Sequence, residues 1–200
     1  MNIQMNQAVI STHSFVRSSI VIHSGIDRYC KIMSLFNGGN GCGDKTFRRL
    51  YTGFYRVRRS TSWIESYFGL MANFSRHGEN DFGTILKAVD AIPGGGVEIS
   101  FSSKMLATMN PKMPIWDSQV KNAFGLADIP SRGSKDFREA QAIDLYAKLR
   151  AEFARLLAAT DIKREIAAFD RLLPDYANAL TDEKKLDYLL WSAGRPSAIA

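Results

Sequence analysis

Two residues in the stretch SFSSKMLATMNPKMPIWDSQV, residues 100–120, have the types and positions from which chemistry can be built: Lys104 and Asp117. Asp117 follows the short run Pro114-Ile115-Trp116 and sits where an N-cap would open a helix over Ser118–Phe124. Backbone N–H groups and the helix dipole favour an anion there. The carboxylate therefore stays ionised, and it can stabilise a developing positive charge or activate a water. The same features suit an ordinary structural cap, and the residues alone leave both roles open. Lys104 lies beside the apolar stripe Phe101, Met105, Leu106 and Met109, closer to the buried side than most lysines, whose ammonium normally escapes to water.

A second constellation lies upstream. KTFRRLYTGFYRVRR, residues 45–59, carries Lys45, Arg48, Arg49, Arg56, Arg58 and Arg59 with no acid, so its charge of +6 equals the formal net charge of the whole chain. Over 135–191, ten basic residues face eleven acidic ones, which leaves that region close to neutral. So local an excess is what a phosphate-binding surface requires, and nucleic acid is the partner it implies. Phe47, Tyr51, Phe54 and Tyr55 are interleaved with the cations, a combination suited to phosphate contacts beside stacking. The plain alternative is a solvated basic helix face with a buried aromatic side.

The elements that must position these residues are helical. Phe47, Leu50, Tyr51 and Phe54, then Trp63, Tyr67, Phe68 and Met71, recur at three and four. Gly53 and Ser60-Thr61-Ser62 predict a break between two helices, with a serine or threonine as cap. Gly38, Gly39, Gly41 and Gly43 mark a loop before the basic segment. Further helices are expected over 81–91, 101–110, 136–159, 161–173 and 181–191, with Phe137, Leu145, Leu149, Phe153 and Leu156 facing inward from the one over 136–159. Ile92-Pro93-Gly94-Gly95-Gly96 ends one helix and Asn110-Pro111 another. Residues 1–24 show no clear period. The expected fold is all-α, one domain over 1–200, with lobes at about 25–130 and 131–200.

Bulk properties narrow the function classes. The chain has 200 residues, 46% hydrophobic and 23% charged, which is globular composition. Cys30 and Cys42 are too few for a disulfide scaffold or an iron–sulfur cluster and lack zinc-ligand spacing. His13, His23 and His77 are scattered, so neither a metal site nor a histidine triad is indicated, and no cofactor is expected. The most apolar stretch, Ala8 to Ile22, is interrupted by His13 and Arg17. With no signal-peptide pattern at the N-terminus, the expected location is the reducing cytoplasm, without a membrane.

Taken with its helical surroundings, Pro114-Ile115-Trp116-Asp117 resembles the catalytic segment of the helix-hairpin-helix DNA glycosylases. The resemblance covers residues 92–124, and the pattern S-K-M-L followed by P-I-W-D is similar to that of small anti-phage or uncharacterised relatives. It implies two helical lobes around a DNA cleft, base flipping, and Asp117 as the catalytic carboxylate. Bifunctional members use a lysine amine as nucleophile, a role that Lys104 would fill; a structural or phosphate-binding lysine is the other reading. Trp116, Trp63, Tyr55 and Gln119 are then candidates for base contacts. Besides the basic segment, Gly94, Gly95, Gly96, Lys112 and Lys121 are candidates for the DNA backbone. The substrate implied is a damaged or modified base in double-stranded DNA, with glucosylated hydroxymethylcytosine of phage DNA as one case, and the protein is expected to be a monomer. This sequence departs from the family hairpin L-P-G-[VI]-G by placing Val97-Glu98-Ile99-Ser100 between its glycines and the next helix. A non-catalytic DNA- or RNA-binding module using residues 45–59 is the alternative. A helical nuclease finds no paired carboxylates or histidines in the sequence pattern.

Overall fold

A computed structural model describes residues 19–38, 41–79 and 81–193. His13 and most of Ala8 to Ile22 lie outside the described residues. The described chain is all-helical: α1 (Ser19–Asn37), α2 (Lys45–Phe54), α3 (Thr61–His77), α4 (Phe82–Asp90), α5 (Ile99–Met109), α6 (Ser118–Ala123), α7 (Lys135–Ala158), α8 (Thr160–Leu172) and α9 (Asp182–Ala193). Two 3-10 turns, Gly41–Gly43 and Pro174–Tyr176, complete it.

Short polar side chains open most of these helices. The Asp44 carboxylate accepts from Thr46 and Phe47 N–H, Ser60 from Trp63, Asp81 from Thr84, Asp117 from Gln119 and Ser134 from Phe137. Each satisfies donors that the first turn leaves without an intrahelical partner, an effect of about 1 kcal/mol per cap. The break between α2 and α3 falls at residues 55–60, and Ser60 is its cap. Helix α1, which begins inside the stretch without a clear period, is an element that the pattern did not predict.

The aromatics of α2 and α3 are core. Phe47, Tyr51, Tyr67 and Phe68 are fully buried and meet edge-on or tilted, with ring centroids 5.4–6.1 Å apart. The Tyr51 hydroxyl lies 2.7 Å from that of Tyr67, which donates to the Phe101 carbonyl at 2.8 Å. Side chains that would each gain roughly 1.5–3 kcal/mol on burial thus also satisfy their polar tips. Buried apolar residues on both sides of residue 130 belong to one connected cluster, from Ile26 to Leu190. Phe137 is a correction to the expected inward face of α7. It is 48% exposed and covers Gly133, because α7 projects its first turn past the core before Ala142 and Leu145 reach it.

Helices α4 and α5 pack on each other as a hairpin joined by residues 91–98; after α5 the chain turns at residues 111–113, where the Met113 N–H donates to the Asn110 carbonyl at 2.9 Å, and continues without regular structure to Asp117. Three bonds hold that run. Thr181 donates to the Pro111 carbonyl at 2.9 Å and Tyr146 to the Pro114 carbonyl at 2.9 Å, while the Trp116 N–H donates to Ser103 Oγ at 2.9 Å. Helices α9, α7 and α5 therefore all fix the position from which α6 starts.

Candidate functional site

A cavity of about 760 Å³ opens between the C-terminus of α2, the first turns of α5 and α6, and one face of α9. Its lining includes Tyr55, Arg56, Lys104, Trp116, Asp117, Gln119 and Lys121. Seven candidates separated by up to 66 positions in the chain thus share one concavity. The volume falls within the roughly 300–1,000 Å³ typical of small-molecule sites.

Asp117 is half-buried at the N-terminus of α6. One oxygen accepts the Gln119 N–H at 2.8 Å; the other makes no hydrogen bond among the described residues. Lys104 projects from α5, donates to Ser100 Oγ at 2.9 Å, and lies over the rings of Phe101 (5.3 Å) and Tyr55 (5.7 Å). Burial holds its ammonium below the usual lysine range. Asp117, Asp187 and Glu98 oppose this by favouring the charged form, and Lys184 acts with burial. Trp116 is buried with an edge on the cavity, and burial drives the Tyr55 hydroxyl well above its ordinary pKa. Arg56 stands out in the backbone. At φ +53° it occupies the left-handed region that a non-glycine residue rarely adopts. The Val57 N–H donates to the Thr52 carbonyl at 2.9 Å across it, so Arg56 takes the usual glycine place in a helix-terminating turn.

Four cavity residues of α9 escaped the sequence reading. Lys184, Asp187, Tyr188 and Trp191 recur at three, four and seven along α9, which places them on one face. Lys184 Nζ lies 2.5 Å from an Asp187 oxygen and 4.8 Å from the ring centres of Tyr29 and Tyr188. The spacing was legible. A Lys–Asp pair three apart on a near-neutral helix, however, reads as a surface pair until the tertiary packing is known.

The other candidates lie elsewhere. Trp63, only 2% exposed, stacks on Tyr67 at 5.1 Å and lies outside the cavity. Trp63 borders a separate open groove with Arg58, Arg59, Ser60, Pro93 and Gly94. Gly94 makes the turn at φ +79°. The Gly95 N–H is spent on the Ile92 carbonyl, and the Gly96 N–H points to Glu98. Of the three glycines expected to offer N–H groups, two are therefore already engaged within the hairpin. Lys112 is exposed beyond α5, and Lys121 pairs with Asp128 at 2.5 Å.

The basic segment is less free of counter-charge than its sequence suggests. Arg48 pairs with Glu65 of α3 at 2.5 Å, donates to the Cys42 carbonyl and lies over Phe68; Arg59 pairs with Glu98 and lies over Trp63 and Phe101. Among the described residues, Lys45, Arg49, Arg56 and Arg58 have no carboxylate within ion-pair distance and are exposed. No group of three His, Cys, Asp or Glu residues among those described is placed to hold a metal ion, and no described helix is long and apolar enough to cross a membrane.

Compared with known proteins, the chain matches no family model, no curated protein and no solved structure.

Proposed function

We propose that the protein is a DNA glycosylase that cleaves the N-glycosidic bond of a damaged or modified base. The observation that carries this reading is the meeting of Asp117, Lys104 and Trp116 in one cavity entered beside exposed cations. Breaking an N-glycosidic bond builds positive charge on the sugar, and a carboxylate held at a helix N-terminus stabilises that charge without reorganising. The unbonded Asp117 oxygen is available to the sugar or to the attacking water. Trp116 and Tyr55 supply apolar surface for a flipped base, and Gln119 an amide for its edge. The reading also draws on the resemblance of residues 92–124 to the helix-hairpin-helix glycosylases. A cavity of about 760 Å³ also has room for a base enlarged by a polar substituent, such as a glucosylated hydroxymethylcytosine.

The experiment is mass spectrometry of bases released from a panel of damaged, modified and glucosylated phage DNAs. Release of one base type, lost in Asp117→Asn, is the expected result. Salt-dependent DNA binding with no base released from any substrate supports instead the second reading, a non-catalytic nucleic-acid-binding module. That reading is favoured by the exposed Lys45, Arg49, Arg56 and Arg58.

A further inference from the structure

Helix α9 forms one wall of the cavity with Lys184, Asp187, Tyr188 and Trp191, and the proposed chemistry at Asp117 leaves that wall without a role. Lys184 is committed within the protein. Its ammonium lies 2.5 Å from one Asp187 oxygen and 4.8 Å from the ring centres of both Tyr29 and Tyr188, and its side chain is 8% exposed. The amine thus fixes one oxygen of Asp187, whose side chain is 14% exposed. The other Asp187 oxygen accepts no hydrogen bond among the described residues. An ion pair withdrawn from water is costly unless its remaining acceptors are satisfied, and a hydrophobic pair of similar volume is often as stable or more so.

Two spaces border the pair. One, walled also by Pro114 and Ile115, is a void of about 10 Å³, the room that a single water needs. The other is the cavity of about 760 Å³, where Ile115 is followed along the wall by Trp116 and Asp117. An organic ligand therefore meets Asp187 from the cavity, on the side where α9 packs against α6.

We propose that Asp187 is a specificity-determining residue, and that the base it selects carries an amino group on its hydrogen-bonding edge, as cytosine and adenine do and uracil and thymine do not. This deepens the glycosylase reading and rests on it for the ligand being a flipped base. An ionised carboxylate only accepts hydrogen bonds, so its partner is an N–H donor. An exocyclic amino group offers two such protons, and acidic side chains read the cytosine amino group in this way. A keto oxygen in the same place opposes two acceptors with no proton between them and leaves the carboxylate oxygen unpaired in a nearly dry wall. The N3–H of uracil is no substitute, because a carbonyl flanks it on each side. Nor does Lys184 rescue a keto base, since Asp187 and two ring faces surround its ammonium.

Free bases test the inference without turnover. Saturation-transfer NMR titrations of the wild-type protein compare cytosine with uracil and adenine with hypoxanthine, pairs that exchange an amino for a keto group. The amino member binds at least about tenfold more tightly, the usual effect of a hydrogen bond to a charged group. Equal affinity within each pair, or no binding of either member, overturns the inference, and this comparison needs no variant to fold. Asp187→Asn, whose amide both donates and accepts, brings the ratio within each pair close to one while both members still bind. A merely loosened pocket would weaken both members alike, and a preference that survives in Asp187→Asn overturns the inference. On the DNA panel the released base carries the amino group; release of keto bases alone overturns the inference. No release from any DNA, with the preference among free bases as expected, supports Asp187 as the selecting residue and counts against the glycosylase reading.

Discussion

Asp117 is both a helix cap and the proposed catalytic carboxylate, and two substitutions separate these roles. The cap is a single bond of 2.8 Å from the Gln119 N–H at the head of a six-residue helix. Asparagine offers the same acceptor, so Asp117→Asn retains that bond and loses only the charge at the helix N-terminus, about 0.3–1 kcal/mol. Asp117→Ala loses the bond as well and costs about 1 kcal/mol more. Catalysis ranks the same pair differently. Both variants remove the negative charge that the sugar cation needs, so both lose on the order of 100- to 1,000-fold in base release, equivalent to about 2.7–4 kcal/mol. Urea denaturation gives the stability differences, and single-turnover assays on the substrate found by mass spectrometry give the rates. Stability that falls from wild type through asparagine to alanine, with activity collapsing already at asparagine, is the expected pattern. Should Asp117→Asn release base at the wild-type rate, Asp117 is a cap and nothing more.

Three further outcomes follow from other parts of the structure. Arg56→Gly relieves the left-handed strain at the end of α2 and stabilises the protein by up to about 1 kcal/mol in denaturant titrations, while weakening DNA binding; a loss of stability refutes the strain argument. DNA affinity falls with salt at a log–log slope near −3.6, for about four phosphate-contacting cations, against about −5.4 for all six. Arg58→Ala lowers that slope by about 0.9, whereas Arg48→Ala leaves it unchanged and costs stability. Glu139, beside Asp90 and buried, is held above the ordinary carboxyl range, foremost by its hydrogen bond to Asp90 and then by burial. The folded protein therefore binds this proton more tightly than the unfolded chain, and stability declines as pH rises from about 4.5, the ordinary value, through the raised one. Glu139→Gln should raise the melting temperature at pH 7 and leave it little changed at pH 4; equal shifts at both would contradict the assignment.

The sequence by itself determined the helical class, most breaks between helices and the cap at Asp117. These depend on short-range causes: apolar recurrence at three and four, proline's exclusion of the preceding residue from helix, and side-chain acceptors for free N–H groups. It also placed Lys104 at the margin of a buried face, because that margin is a property of one helix. Tertiary structure alone decided which charges are free and which carboxylates meet. Glu65 and Glu98 neutralise Arg48 and Arg59 from other helices, so the six cations of one segment reduce to four without an acidic partner among the described residues. Asp187 lies 70 positions beyond Asp117 and reaches its cavity because α9 packs against α6. Coulomb interactions depend on distance in space and on exclusion of water, and neither is written in the spacing of residues along the chain.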